Sequence, residues 1–344
     1  MLAQLKRKRT YFIILLLPYI AMMFLLTYRI DYVLSAPGGL SEVENQVDFE
    51  TMYDTENSFY TTYVMSIAEP TFFQFMISYF DDGVDSRAIT VFESGQTDAQ
   101  RIAYGHLQRD NAWNAAIISS YTELDIHVEF DIRMLVTRIY LDYADVGGLD
   151  VLDEVIEING QTNNFNTIIN QMPCSDSDED VLVMTVRNLD GDVREVEVRK
   201  TLVDGICRSG FTLDTYYDIT EVGLDYTVSQ SFIGGPSGGL MQFLHIYNVL
   251  TEDDLTSGLK IAGTGGISLD GSVRSMGSIK QKILGAHHAG VDVFFVPHLS
   301  DSYHDNYQIA LRTLETLDSD MEVVGVSHWT EAVNYLIIRK EDAS

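Results

Sequence analysis

The feature that most constrains this chain is a long apolar stretch close to its first residue. Between the basic run Lys6–Arg9 and Arg29 lie 19 uncharged and mostly apolar residues. About 20 residues of helix are needed to cross the hydrocarbon core of a bilayer. We therefore expect residues 10–28 to form a transmembrane helix that anchors the chain in a lipid bilayer, with residues 1–30 forming a basic stub and anchor.

The charges beside this stretch predict its orientation. The run Lys6–Arg9 would stay in the cytoplasm, which places everything after Arg29 outside the cell. A cleaved signal peptide is the alternative, since Val33 and Ser35 are small enough for a cleavage site. The apolar stretch is long for a signal peptide and is followed by Arg29 and Asp31. We therefore expect a retained single-pass anchor at the cell membrane and an extracellular catalytic domain.

The charge balance of the whole chain narrows the choice of partner. The sequence holds 51 acidic and 22 basic residues, and five of the basic ones lie in the first 30 residues, where no acidic residue occurs. A surface that negative repels phosphate backbones, so nucleic acid is not an expected partner. The acidic surface either solubilises the chain or favours cationic peptides, and an oligomer is compatible with it.

The chain after the anchor divides into three predicted regions. Residues 31–128 begin with Ser35-Ala-Pro-Gly-Gly39, which predicts a short extracellular stalk. No role is assigned to residues 40–126. Residues 129–204 contain alternating strand patterns, a tight turn at Asn159-Gly160 and a hairpin signature at Asp190-Gly191. Residues 205–344 carry the densest motifs.

The order of elements in residues 129–204 resembles a PDZ domain. The segment from Gly148 to Gly160, followed by a helix and a hairpin, is similar to the second half of that domain. Two departures are visible: Leu152 replaces the usual glycine before Asp153, and no clear glycine-rich carboxylate-binding loop precedes Val136. The resemblance therefore implies the fold of the module more directly than it implies peptide binding.

Two further features of this region concern cysteine and metal chemistry. Outside the cell Cys174 and Cys207 could form a disulfide, and two free thiols are the alternative. The acidic run 176–180 lacks the glycine and the distal glutamate of an EF-hand loop, so it is interpreted as a solvated loop. No metal and no cofactor are predicted.

A glycine-rich turn at Ile233-Gly-Gly-Pro-Ser-Gly-Gly-Leu-Met241 opens an apolar helix and places Ser237 near the helix start. A serine there could be no more than an N-cap. Four glycines around one Pro-Ser pair exceed what a cap requires, because they let backbone N–H groups crowd around an anion. Ser237 is therefore a candidate nucleophile, with N–H groups near Gly235 and Ser237 as oxyanion donors.

A base for Ser237 is predicted on the helix that begins near Ser278. At 100° per residue, Lys280 and Lys282 point roughly 200° apart, so only one of them can face the site. Lys282 shares its face with Ile279, Ile283 and two alanines, so burial would lower its pKa toward neutrality. Snorkelling of the lysine to water is the alternative. The histidines His245, His287, His288 and His298 lie in no recognisable triad context.

These blocks together resemble the Lon-type peptidase domain. Its motifs follow in order: the Ser237 turn, Ala262-Gly-Thr-Gly-Gly-Ile267, Gly271-Ser-Val273, Gly277-Ser-Ile-Lys-Gln-Lys282 and Phe294-Phe-Val-Pro297. The similarity is greatest to the membrane-anchored, PDZ-containing branch of Gram-positive bacteria. The resemblance implies that Ser237 is the nucleophile, that Lys282 is its base and that Thr264 orients the lysine. Gly238 replaces the usual alanine, and Ser278 replaces the second glycine before Lys280.

The expected fold is thus mixed α+β, with a transmembrane helix, a PDZ-like β-rich module and a C-terminal Lon-type α/β proteolytic domain. The sequence contains no Gly-x4-Gly-Lys-Ser/Thr phosphate loop. The predicted function is therefore ATP-independent serine endopeptidase activity on peptides or unfolded polypeptides that are exported or membrane-associated. The alternative is a membrane-tethered PDZ scaffold with a degenerate protease domain.

Overall fold

The computed structural model describes residues 16–50, 52–90, 93, 96–140, 147–171, 181–203, 206–252 and 254–343. Four predictions fall wholly or partly outside these ranges. They are the basic stub with Lys6–Arg9; the first part of the apolar span (residues 10–15); the pairing of Cys174 with Cys207; and the acidic run 176–180. The disulfide and the acidic loop therefore stay predictions, although Cys207 itself is half-buried.

The described part of the apolar stretch forms helix α1, residues 16–27, and nearly all of its side chains are exposed. Among the residues that the structure describes, no helix has the length and apolar character needed to cross a bilayer. The backbone continues directly from α1 into the folded domain, since Ile30 N–H donates to the carbonyl of Pro70 at 3.1 Å. The membrane anchor remains a prediction.

A six-stranded sheet organises most of the molecule. Its order is β17-β16-β13-β3-β1-β4, in which β17, β16, β13 and β3 run parallel and β1 pairs antiparallel with both β3 and β4. The bounds are β1 Tyr32–Glu42, β3 Phe59–Ala68, β4 Asp85–Ala88, β13 Ile261–Gly263, β16 Val293–Pro297 and β17 Glu322–Val326. Strands from the beginning and the end of the chain therefore share one sheet.

This sheet corrects the predicted stalk. Residues 35–39 lie inside β1, where the register with β3 shifts between Pro37 and Leu40. Glycine is needed at this bulge because the backbone of Gly38 lies against that of Tyr63, where a Cβ would overlap the Tyr63 carbonyl. The Pro-Gly-Gly sequence is typical of an interruption of secondary structure, but here it lies within a strand whose pairing is irregular.

Helices cover both faces of the six-stranded sheet. Side chains alternate along the strands, so that Ile261 packs on one face and Ala262 on the other. The first face is covered by α3 Asp98–Glu123, α5 Gly239–Val249 and α8 Trp329–Ala343. The second face is covered by α6 Ile279–His288 and α7 Asn306–Leu314. The sheet is therefore buried between two helical layers, as expected of parallel strands.

A second, five-stranded antiparallel sheet has the order β11-β5-β6-β7-β8 and its own apolar core. Its elements are β5 Val128–Ile139, β6 Glu154–Ile158, α4 Phe165–Gln171, β7 Leu182–Arg187, β8 Val193–Val198 and β11 Phe211–Val222. The predicted hairpin is confirmed by the β7–β8 pairing. The predicted turn is also confirmed, since Asn159 and Gly160 both have positive φ.

The chain enters and leaves this second sheet from the first domain, so the module is an insertion. Strand β11 lies in the five-stranded sheet, although the sequence analysis assigns its residues to the protease region 205–344. Residues 32–123, assigned to a stalk and an uncharacterised region, supply three strands to the six-stranded sheet and helix α3 to one of its faces. Leu152, which stands where the PDZ resemblance expects glycine, has φ +77°. The PDZ-like identity itself stays a prediction.

Short elements complete the fold. Helix α2, Phe72–Ser78, begins at a capping box formed by Thr71 and Gln74. Residues Glu44–Gln46 form a 3₁₀ turn. The remaining strand pairs are β2 Val47–Phe49 with β12 Tyr226–Val228, β9 Thr201–Val203 with β10 Ile206–Arg208, and β14 Gly266–Ile267 with β15 Val273–Arg274. The β2–β12 pair connects the N-terminal part to the segment that leads to Ser237.

Candidate active site

Strand β13 places Thr264 at the carboxyl edge of the central sheet. Thr264 follows the last residue of β13 directly and is fully buried. Its N–H donates to the carbonyl of Phe295 in the neighbouring strand β16 at 3.0 Å. The side chain is therefore held by a rigid strand pair at the edge where α/β proteins commonly form their sites.

The turn that carries Ser237 is attached to this edge. Gly265 N–H donates to the Ser237 carbonyl at 2.9 Å, and the Thr264 hydroxyl donates to the same oxygen at 3.3 Å. Ser237 is half-buried and lies two residues before α5 begins at Gly239. The turn needs glycine there, since a Cβ on Gly239 would lie 2.8 Å from the Ile267 nitrogen.

Lys282 reaches the same threonine from the opposite helical layer. Its side chain lies in the second turn of α6 with only 4% of its surface exposed. The Nζ atom donates to Thr264 Oγ1 at 2.7 Å, and among the described residues no carboxylate pairs with it. Burial without a counter-charge disfavours the ammonium form and lowers the pKa of Lys282 to about 7. The neutral amine is therefore accessible near neutral pH.

The neighbouring lysine has the opposite environment. Lys280 is partly exposed and forms an ion pair with Asp85 at 2.8 Å. Ile279, Ile283 and Ala286 are buried beside Lys282. The burial of Lys282 and the exposure of Lys280, predicted from the helical period, are confirmed.

The entry into α6 contains one unusual backbone conformation. Ser278, which stands where the Lon-type pattern has glycine, has φ +58° and ψ +37°, in the left-handed region. Its side chain makes no capping hydrogen bond. The backbone therefore keeps the glycine-like conformation of the motif although the side chain is serine, at a conformational cost.

Gly235 differs from its predicted role as an oxyanion donor. Its N–H donates at 2.7 Å to the carbonyl of Gly105, in the middle of helix α3. The hydrogen bond occupies that donor, so Gly235 is not free to act as the predicted oxyanion donor. The N–H groups of Ser237 and Gly238 make no hydrogen bond to any residue that the structure describes. These two N–H groups are therefore free to donate to a bound anion.

Helix α3 contributes contacts that the sequence analysis missed. The backbones of Gly105 and Gly234 touch, since a Cβ on Gly234 would lie 2.9 Å from the Gly105 carbonyl carbon. Arg109, one turn further along α3, donates to the carbonyl of Ser231. A glycine in mid-helix costs about 1 kcal/mol relative to alanine. Gly105 was the available signal in the sequence, although the space beside it would admit a Cβ.

The histidines lie elsewhere. His245 is buried in α5 without a partner for Nε2, and burial lowers its pKa to about 4. His298 pairs with Asp305 at 3.2 Å, and His288 is exposed at the end of α6. Within the described residues, no hydrogen bond connects a histidine to Ser237, Thr264 or Lys282. Lys282 is therefore the basic side chain that hydrogen bonds connect to Ser237, through Thr264.

Comparison with known proteins agrees with this geometry. Residues 225–339 match the family described as the Lon protease (S16) C-terminal proteolytic domain. The chain is 30% identical over 105 residues to Lon protease of Clostridioides difficile, which covers 30% of this chain and 12% of that protein. It is 39% identical over 64 residues to Lon protease of Buchnera aphidicola, covering 19% of this chain and 8% of that protein.

A longer and weaker similarity extends to a eukaryotic relative. The chain is 24% identical over 181 residues to the mitochondrial Lon protease homolog of Caenorhabditis elegans, covering 52% of this chain and 18% of that protein. The chain therefore spans less than a fifth of the length of each of these relatives. Ser237, Thr264 and Lys282 all lie within the residues that match the Lon protease proteolytic domain.

Proposed function

We propose that this chain, through its Lon-type proteolytic domain, is an endopeptidase that cleaves polypeptides with Ser237 as nucleophile and Lys282 as base. One observation carries the proposal: the buried Lys282 amine donates to Thr264 Oγ1, and that hydroxyl donates to the Ser237 carbonyl. A lysine serves as a base only when it is neutral, and burial without a counter-charge provides that state.

The proposed reaction is acyl transfer in two steps. Neutral Lys282 accepts the hydroxyl proton of Ser237 while the serine oxygen attacks the peptide carbonyl carbon. The resulting ammonium then gives this proton to the leaving amine as the peptide C–N bond breaks. Water attacks the acyl-enzyme in the second step, with Lys282 again accepting and returning a proton, and the carboxylic product is released from Ser237.

The N–H groups of Ser237 and Gly238 are proposed to stabilise the tetrahedral oxyanion. Both lie at the turn that opens α5, where the helix dipole adds positive potential. Loss of one oxyanion donor typically lowers kcat by about 10²–10³. The Gly235 N–H is assigned a different task, holding the turn against α3.

Cleavage is proposed to proceed without ATP, because the sequence contains no phosphate loop of the Gly-x4-Gly-Lys-Ser/Thr type. The substrates would then be peptides or polypeptides that are already unfolded. The apolar stretch 10–28 and the basic run Lys6–Arg9 support attachment to a cell membrane with the catalytic domain outside. Exported or membrane-associated polypeptides are the substrates that fit this location, with the five-stranded module as a PDZ-like accessory.

Replacement of the nucleophile tests the proposed activity. Ser237→Ala should abolish peptide cleavage and labelling by a serine-reactive probe. Its free energy of unfolding should stay within about 1 kcal/mol of the wild-type value, since a helix-start serine contributes little more. Cleavage at the wild-type rate by Ser237→Ala would remove Ser237 from the mechanism. Absence of labelling and of cleavage in the wild type would favour the scaffold alternative.

Protease accessibility tests the proposed orientation separately. A protease added outside intact cells should digest the chain from about Asp31 onward and leave a short basic fragment. Protection of the acidic part of the chain until the membrane is broken would overturn the extracellular placement. That result would leave the proposed chemistry of Ser237 and Lys282 unaffected.

A further inference from the structure

A polar cavity opens beside the turn that carries the nucleophile. Its volume is about 280 Å³, and it lies between helix α3, strands β5 and β11, and the residues Pro236 and Arg274. Its polar lining includes Tyr104, Gln108, Asn111, Thr137, Asp214 and Tyr216. Pro236 immediately precedes Ser237, so a peptide whose carbonyl carbon reaches Ser237 can place a neighbouring residue at this cavity.

Two charged side chains line the cavity, Asp214 and Arg274. The carboxylate of Asp214 already has a cationic neighbour in Arg138. The pKa of Arg138 is raised first by its hydrogen bond to Tyr140 and also by attraction to nearby groups that include Asp214. Asp214 is therefore at least partly compensated within the protein.

Arg274 is not compensated in this way. Its guanidinium makes no hydrogen bond and no ion pair with any residue that the structure describes, and the side chain is exposed. Other arginines of the chain hold carboxylates, namely Arg87, Arg101, Arg109, Arg133, Arg187, Arg194 and Arg339. Arg274 is therefore a cation without an ion pair among the described residues, at the cavity of a chain with 51 acidic and 22 basic residues.

The backbone under Arg274 is shaped to hold it near the nucleophile. A Cβ on Gly266 would lie 3.1 Å from Arg274 Nε, so the glycine lets the guanidinium lie close to the main chain. The preceding residue, Gly265, donates to the Ser237 carbonyl. The exposed guanidinium therefore lies close to the main chain of Gly266, one residue after the N–H group that bonds the Ser237 turn.

We propose that Arg274 is a specificity-determining residue that binds the carboxylate of an Asp or Glu side chain next to the scissile bond of the substrate. The planar guanidinium matches a carboxylate through two parallel hydrogen bonds. The tyrosine hydroxyls and amides of the cavity can hydrogen-bond the rest of the bound residue. Because the negative surface of the chain repels acidic peptides at long range, we expect the preference for an acidic residue at one substrate position only. This inference rests on the proposed peptidase function.

Fluorogenic peptides of one sequence test it, with Glu, Gln or Lys placed in turn at each position flanking the cleaved bond. At one position the kcat/KM for Glu should exceed that for Gln by about 10- to 100-fold, the usual range for a charge-assisted hydrogen bond. Arg274→Gln should bring this Glu/Gln ratio close to one, and Arg274→Glu should reverse the preference in favour of Lys. Arg274→Lys should keep only part of the Glu/Gln ratio, because lysine retains the charge but cannot donate two parallel hydrogen bonds to one carboxylate.

Arg208 offers a matched control, since it is also without a partner among the described residues but lies on β10, away from Pro236. Arg208→Gln should preserve the Glu/Gln ratio. Equal cleavage of Glu and Gln peptides at every position, or a ratio that survives in Arg274→Gln, would overturn the inference. Thermal unfolding of each variant identifies a loss of fold.

Binding separates this inference from the proposed function. Fluorescence anisotropy of the same peptides on the Ser237→Ala protein requires no turnover. The Glu peptide should bind more tightly than the Gln peptide, and the difference should vanish when Arg274→Gln is added. Equal affinities would overturn the role of Arg274, whether or not the wild type cleaves any peptide. Absence of cleavage with this difference in affinity intact would instead overturn the peptidase assignment alone.

Discussion

Lys282 Nζ lies 2.7 Å from Thr264 Oγ1, and the same hydroxyl donates to the carbonyl of Ser237. The direction of these hydrogen bonds has a chemical consequence. Since a neutral amine uses one N–H to bond Thr264, its lone pair is left to accept a proton from another group. Thr264 is therefore hydrogen-bonded to the amine and to the Ser237 turn at the same time, and we propose that it orients the amine.

Removal of the Thr264 hydroxyl tests whether it orients the Lys282 amine. Thr264→Val deletes the donor and acceptor while keeping the shape of the side chain, so we expect kcat/KM to fall by about 10- to 100-fold. Thr264→Ser retains the hydroxyl and should retain most of the activity. Peptide hydrolysis by both variants checks this, and full activity of Thr264→Val would show that the hydroxyl does not orient Lys282.

Burial of Lys282 should lower the free energy of unfolding, and we propose that this loss is retained because the base must be neutral. The folded-state pKa of about 7 lies below the unfolded value, so between pH 7 and 10.5 the unfolded chain binds more protons than the folded one. Stability therefore rises with pH across this window. Lys282→Met removes the cost and should raise the free energy of unfolding by about 2–4 kcal/mol at pH 7.5, while abolishing cleavage.

Urea unfolding of wild type and Lys282→Met at pH 7.5 and pH 10 measures this effect. The advantage of the methionine variant should shrink at the higher pH, because the unfolded lysine also approaches neutrality there. A methionine variant that is no more stable than wild type at pH 7.5 would contradict the desolvation of Lys282.

The contact between the nucleophile turn and helix α3 provides a matched pair of glycine variants. A Cβ on Gly234 would lie 2.9 Å from the Gly105 carbonyl carbon, whereas a Cβ on Gly105 would be 3.7 Å from its nearest neighbour, Gly234 Cα. Gly234→Ala should therefore displace the turn, break the Gly235–Gly105 hydrogen bond and lower kcat at least about tenfold. Gly105→Ala fits and should stabilise α3 by about 1 kcal/mol without loss of activity.

Kinetics and thermal unfolding of the two variants test this contact. The expected pattern is low kcat only in Gly234→Ala and higher stability only in Gly105→Ala. Equal activity of both variants would mean that α3 does not position the nucleophile turn.

Patterns that act within a few residues predicted local structure well. The burial of Lys282, the hairpin at Asp190-Gly191 and the turn at Asn159-Gly160 follow from helical period and turn chemistry. The contribution of residues 32–123 to the central sheet could not be predicted in this way. Pairing of β3 with β13 and contact of Gly105 with Gly235 join segments far apart in the chain, and no local pattern encodes such contacts. The Pro-Gly-Gly sequence at the bulge near Pro37 is also the pattern of a loop, so the strand could not be recognised there.

The serine before α6 shows how a departure from a motif becomes a stability prediction. Ser278 adopts φ +58°, which favours glycine, and its side chain makes no capping hydrogen bond. Ser278→Gly should stabilise the protein by about 0.5–1 kcal/mol and retain activity. Ser319, which is not among the residues with positive φ, supplies the control, since Ser319→Gly should not stabilise. A destabilising Ser278→Gly, measured by thermal unfolding, would contradict this account of the turn.

The most direct test of the central claim is kcat/KM against pH for wild type, Lys282→Arg and Lys280→Arg. Wild-type activity should rise with pH through a single ionisation near 7, since the amine must lose its proton to act as base. Lys280→Arg should follow the same curve, because it preserves a surface charge paired with Asp85. Lys282→Arg should be inactive at every pH, because a guanidinium keeps its proton in this range. Activity in Lys282→Arg, or loss of activity in Lys280→Arg alone, would contradict the assignment of Lys282 as the base of Ser237.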